Sequence, residues 1–344
     1  MKAIVKTTAE PGAEVADVDI PTPGPRDALI RIEAASVCGT DLDIVRNWDA
    51  AAATWGSKLP MILGHECSAT VVEIGDEVDE VSVGDVVVVE THIFCGECAA
   101  CLNDARHNCL RMAIPGVSRD GVFAEYAVIP ARSLYVVAPG VDPGLAALYE
   151  AAGVAAHATQ RAGDVTGATV AVTGAGPVGL FLVAQLAAAG AGDIAVFEPE
   201  PTRRARAAEL GATAFGPEES EPFLEFVRAH GKVAGADLAF DVSGAPPAYG
   251  LLFQALGKDS RLVSIGHMST PLPVNISKDL NLRVLDWKGT FGRHIWSSWD
   301  IVDSLVRSGK LDLASFVVDE LSLDELPGRL DEIGRLPGKV LVRP

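Results

Sequence analysis

Basic charge is scarce in this chain. Its 46 acidic residues face only 28 lysines and arginines, nine of them lysine, for a formal net charge of -18. Such a surface repels phosphate backbones and anionic bilayers, so neither nucleic acid nor membrane is an expected partner. A carboxylate-rich surface also stays hydrated in concentrated salt, which makes salt tolerance an expectation. Low-complexity tracts and internal repeats are absent, and Met1 to Asp17 lacks the apolar stretch of an export signal, which points to a cytoplasmic protein. One uncharged segment, Val165 to Gly192, is long enough to span a bilayer. Gly174, Gly176, Pro177 and Gly179 divide it, however, into a short β-branched run and an alanine-rich helix.

At 344 residues, 49% of them hydrophobic, the chain exceeds what one core usually organises, and two domains are expected. The first 150 residues carry short Val/Ile-rich runs between Pro, Gly and Asp clusters, at Leu29–Ile32, Thr70–Ile74, Asp85–Glu90 and Tyr126–Ile129, and predict a mainly β half. From Ala151 strands and helices alternate: Thr169–Thr173, Val178–Ala189, Ile194–Phe197, Arg203–Leu210, Leu238–Asp241, Ala248–Leu256 and Arg261–Ile265. That rhythm predicts a parallel sheet covered by helices, an α/β architecture. A helix at Ile301–Ser308, a final strand at Lys339–Val342 and an edge strand at Leu282–Gly289 complete the expected elements.

Four of the six cysteines are bunched. Cys95, Cys98, Cys101 and Cys109 are spaced so that one loop can wrap four thiolates around a tetrahedral zinc. Burial as small apolar residues, or an iron-sulfur cluster, would use the same residues. The polar neighbours Gly96, Glu97, Asn103, Asp104 and Arg106 argue against a core segment, and nothing else suggests electron transfer. Four sulfurs leave no open position, so this site is expected to be structural. Cys38, His65 and Glu66 offer instead the mixed sulfur, imidazole and carboxylate set of a catalytic zinc. Taken singly they read equally well as a hydrogen-bonded pair beside a thiol, and Cys67 reads as packing.

Gly174, Gly176 and Gly179 form G-x-G-x-x-G between an expected strand and an expected helix. The first permits a tight turn, the second lets backbone approach a pyrophosphate, and the third lets helix pack on strand, with Pro177 and Val178 opening the helix. Glu198, at the end of the next strand, is placed to bond the ribose hydroxyls of NAD and repel the phosphate of NADP.

Cys38-Gly39-Thr40-Asp41, Gly64-His65-Glu66, the four-cysteine loop and the glycine turn occur in an order and spacing that resemble zinc-dependent medium-chain alcohol dehydrogenases, over essentially the whole chain. Finer features resemble the threonine dehydrogenase branch of that family: Trp48-Asp49, Glu90-Thr91-His92-Ile93, Gly121-Val122-Phe123-Ala124-Glu125-Tyr126 and Gly289-Thr290-Phe291-Gly292-Arg293 before Trp299.

The resemblance implies a GroES-like catalytic domain over 1–149 and 292–344 and a doubly wound Rossmann domain over 150–291. It implies two zincs per chain, NAD and a homotetramer. Cys38, His65 and Glu150 become ligands of the catalytic zinc, with Glu66 able to exchange in. Thr40 becomes the first partner of the substrate proton, His92 faces the substrate, and Arg203 and Gly266 join the cofactor site.

The reaction implied is hydride transfer from a secondary alcohol to NAD, foremost from L-threonine to 2-amino-3-ketobutyrate. One position departs from the branch: Asp43 stands where a histidine usually passes the proton to solvent. It keeps open a polyol or secondary-alcohol substrate such as sorbitol, xylitol or butanediol. A zinc-stabilised NAD-binding protein without turnover is the reading from another class, and the open-type metal set argues against it.

Overall fold

A computed structural model describes residues 1–268 and 270–344. It divides into two compact units, Met1–Glu150 with His294–Pro344, and Ala151–Arg293.

In the first unit the main sheet runs Val317–Ser322, Lys339–Arg343, Asp27–Ser36, Glu66–Ile74, Val86–Val89 and Leu134–Val136, and Tyr126–Pro130 also pairs with Asp27–Ser36. All neighbours are antiparallel except the first two strands. A smaller sheet joins Glu14–Asp17, Lys2–Lys6 and Met61–Ile62. The long strand Asp27–Ser36 buries Ala28, Ile30, Ile32 and Ala35 against Ala69 and Val71 of its partner, the centre of the core.

The second unit is a six-stranded, all-parallel sheet. Across it stand Thr213–Phe215, Ile194–Phe197, Val170–Thr173, Ala236–Asp241, Leu256–Ser264 and Asp286–Gly289. Counted along the chain this is order 3-2-1-4-5-6, the doubly wound arrangement whose ligand crevice lies where the order reverses, beside Val170–Thr173 and Ala236–Asp241. Both strands are almost wholly buried, as strands covered by helices on both faces should be. Proline occupies the first turn of Pro177–Ala188, Pro201–Glu209 and Pro246–Ala255, where its missing N–H is not needed.

The edge strand is shorter than expected. Asn281–Arg283 forms a 3-10 turn and Val284 adopts φ 55°, so extended pairing begins only at Asp286. No helix among the described residues is long and apolar enough to cross a membrane.

Candidate active site

The helix Gly39–Arg46 starts at its N-cap, Cys38, and its third residue, Asp41, is fully buried. Asp41 Oδ2 accepts the Cys38 backbone N–H at 2.9 Å, and Oδ1 lies 3.0 Å from His65 Nδ1. One carboxylate thus fixes the backbone of one candidate ligand and the ring of another, leaving His65 Nε2 as the nitrogen for a metal. Burial pulls the His65 pKa down, but the charges of Asp41 and Cys38 outweigh it and leave the imidazole well above its ordinary value.

The turn before His65 has no room for adjustment. Gly64 has φ 88°, and a Cβ there would meet the Phe123 ring at 2.4 Å. A Cβ on Gly121 would come within 2.2 Å of Gly64 O. This packing delivers His65 and Glu66 to the start of the strand Glu66–Ile74.

Donor atoms of Cys38, His65 and Glu66 all lie within 4.8 Å of one another. Thiolate, imidazole and carboxylate in that reach fit a zinc that keeps a position open. Glu66 Oε2 accepts from Ser36 Oγ and from Lys339 Nζ, the latter at 2.5 Å, and Lys339 also donates to Val37 O at 3.0 Å. Burial lowers the Lys339 pKa, but Glu66, Cys38 and Glu150 more than compensate and raise it. Glu150 stands outside the converging donors; it is buried and accepts from Thr91 Oγ1 at 3.3 Å. Thr40 Oγ1 lies 3.9 Å from Cys38 Sγ, whereas Asp43 is exposed. His92 is buried, with its backbone N–H on Glu90 Oε1 at 2.8 Å and its ring Nδ1 3.0 Å from His107 O. Glu90 also accepts the Trp299 indole N–H at 2.7 Å.

Cys95, Cys98, Cys101 and Cys109 converge within 4.8 Å. Backbone N–H groups point at the sulfurs: Cys95 to Cys109 at 3.2 Å, Cys98 to Cys95 at 3.3 Å and Arg111 to Cys109 at 3.3 Å. Such donors favour thiolates, and with the N–H of Glu97 foremost they bring the Cys95 pKa down to about 5. The four sulfurs suit a closed, structural zinc. Burial instead pushes the Cys67 thiol far up, in keeping with a packing role.

In the second unit a cavity of about 620 Å³ opens at the glycine turn, lined by Gly174, Gly176, Pro177, Val178, Glu198 and Arg203 among others. Gly179 and Gly266 do not line it. A Cβ on Gly179 would meet Gly174 O at 2.2 Å, and one on Gly266 would meet Gly244 N at 2.1 Å, so each permits a close backbone approach behind the wall. Glu198 Oε2 accepts the Ala175 N–H at 2.6 Å and Oε1 the Glu200 N–H at 2.9 Å, which locks the carboxylate at the rim.

Sequence reasoning missed Asp241. This fully buried carboxylate accepts from Thr173 Oγ1 at 2.9 Å, Ser243 Oγ at 2.7 Å and Gly244 N at 3.0 Å, pinning the loop after its strand to the cavity wall. The Asp-x-Ser-Gly run at 241–244, closing a strand, was its available signal. Lys339 had none, lying 273 residues from Glu66.

Residues 24–139 match the alcohol dehydrogenase GroES-like domain, and residues 177–308 match the zinc-binding dehydrogenase domain. The chain is 40% identical over 314 residues to L-threonine 3-dehydrogenase of Thermococcus kodakarensis, covering 91% of this chain and 89% of that protein. It is 35% identical to L-threonine 3-dehydrogenase of Bacillus velezensis, covering 100% and 99%. Among solved structures, 2R,3R-butanediol dehydrogenase of Bacillus subtilis superimposes with a TM-score of 0.88 at 26% identity, over 100% of this chain and 99% of that one. With the zinc-type donor set and the glycine-turn cavity already in place, these matches make the chain a member of the zinc-dependent medium-chain alcohol dehydrogenase family, an NAD-linked oxidoreductase.

Proposed function

We propose that the chain oxidises the secondary alcohol of L-threonine to 2-amino-3-ketobutyrate, with NAD as acceptor. The observation that carries this reading is the open-type donor group of Cys38, His65 and Glu66 in a chain 40% identical to a threonine dehydrogenase. Bound in these places, zinc supplies a Lewis acid that lowers the pKa of a substrate hydroxyl, and NAD supplies the hydride acceptor.

The remaining work falls to the chain. Cys38 and His65 hold the metal, with Asp41 orienting both, and Glu150 stands by as a further ligand. Thr40 Oγ1 relays the substrate proton, accepting it while giving up its own hydroxyl proton toward the cofactor ribose, and the exposed carboxylate of Asp43, on the same helix, is the candidate acceptor that hands it to water. His92, its backbone held by Glu90 and its ring Nδ1 by the His107 carbonyl, orients the substrate. Residues 150–291 bind NAD, with Gly174, Gly176 and the helix N-terminus at Pro177 receiving the pyrophosphate and Glu198 the ribose. The short edge strand Asp286–Gly289 supports a homotetramer through pairing between copies, and the six unbridged cysteines suit the cytoplasm.

A 2,3-butanediol or polyol dehydrogenase is the second reading, favoured by Asp43 and by the likeness to the Bacillus subtilis enzyme. NADH formation with zinc-loaded protein and a panel of L-threonine, sorbitol, xylitol and 2,3-butanediol decides between them.

A further inference from the structure

Glu66 and Lys339 form a salt bridge at 2.5 Å with side chains 1% and 2% exposed. A buried ion pair is expensive to desolvate and is weak evidence for a stability role, so its position calls for another explanation. That position is directly behind the catalytic donors. The strand Lys339–Arg343 lies against Asp27–Ser36, with Leu341 opposite Ser36, so the lysine, the Ser36 hydroxyl and Cys38 meet at one end of the sheet. Both hydrogen bonds to Glu66, from Ser36 Oγ and Lys339 Nζ, fall on Oε2, while a carboxylate oxygen of the same residue lies within 4.8 Å of the Cys38 and His65 donors.

We propose that Lys339 is a positioning residue: it tethers Glu66 and offsets the negative charge around Cys38, so that the carboxylate stays out of the metal's open position and the site keeps its zinc only as tightly as turnover allows. The inference rests on the zinc reading of the Cys38 site. Two effects follow from the charges. An ammonium behind the donors repels a divalent cation, and a carboxylate bonded to an ammonium is a poorer ligand than a free one. Removing Lys339 therefore strengthens metal retention and closes the site, whereas loss of a merely structural bridge would loosen it.

The test is the rate at which zinc passes to a colorimetric chelator from the zinc-loaded full-length protein. Total zinc is measured first, and Cys38→Ser identifies the release phase that belongs to this site. If no phase disappears in Cys38→Ser, the zinc reading itself fails, and with it this proposal. Lys339→Met is expected to slow that phase on the order of tenfold, the scale on which residues behind metal ligands act, and to lower kcat with little change in KM for NAD.

Lys339→Met is expected to slow release far less in the Glu66→Gln background than in the wild type, because the larger of the lysine's two effects runs through that carboxylate and only the direct repulsion of the cation remains. Ser36→Ala, a gentler loosening of the same oxygen, is expected to slow release by a smaller factor and keeps the test available if the methionine variant does not fold. Faster or unchanged release in Lys339→Met, or in Ser36→Ala where that is the only folded variant, overturns the proposal. So does a double variant that behaves as the sum of its parts.

Discussion

Asp41 Oδ1 and His65 Nδ1 lie 3.0 Å apart in a buried pair, and the other oxygen of the same carboxylate accepts the Cys38 N–H. Replacing Asp41 with Asn removes the charge while nearly preserving shape. Zinc affinity at the Cys38 site is expected to fall about 10–100-fold, the usual cost of losing a histidine's outer partner. Equilibrium dialysis against a buffered zinc series measures it, and an unchanged affinity would separate Asp41 from the metal.

Gly121→Ala places a methyl 2.2 Å from Gly64 O, against backbone that cannot yield without moving His65. We expect a loss of about 1–3 kcal/mol in chemical denaturation, as overpacked cores show, together with a lower zinc content. Wild-type stability with full zinc would mean that the turn before His65 is looser than its packing indicates.

Asp241 gathers hydroxyl and backbone donors from Thr173, Ser243 and Gly244. In Asp241→Asn an amide NH₂ replaces one acceptor and faces those donors. Because each buried donor left unpaired costs about 1–3 kcal/mol, NAD binding is expected to weaken tenfold or more. Fluorescence titration with NADH reads this, and zinc content serves as the internal control because it should not change.

Cys101→Ser removes one sulfur from the closed group of four. Elemental analysis should show one zinc fewer per chain, and the melting temperature should fall because a structural zinc contributes folding free energy. Full zinc content in the variant would contradict a four-sulfur site.

What was legible in the chain follows the distance between partners. Cys95 to Cys109 sit in one loop, and Gly174 to Gly179 in one turn, so spacing alone displayed their chemistry. The parallel strands stood out because Val170–Thr173 and Ile194–Phe197 are short apolar runs between breakers. The helix Ser220–His230 was not among the expected elements, although Phe223, Leu224 and Val227 form its buried stripe. Lys339 and Glu66 meet only through folding, and no local pattern announces a pair 273 residues apart. Val284 cut short the expected edge strand through a backbone angle that its β-branched side chain gives no reason to expect.

The most direct test of the account is NADH formation from L-threonine by the wild type and by Cys38→Ser, each zinc-loaded, beside NADH binding to both. The account predicts turnover of threonine in preference to sorbitol, xylitol and 2,3-butanediol by the wild type, and none by the variant, with cofactor binding retained. Full turnover by Cys38→Ser, or no NADH from any of these alcohols with the wild type, would contradict it.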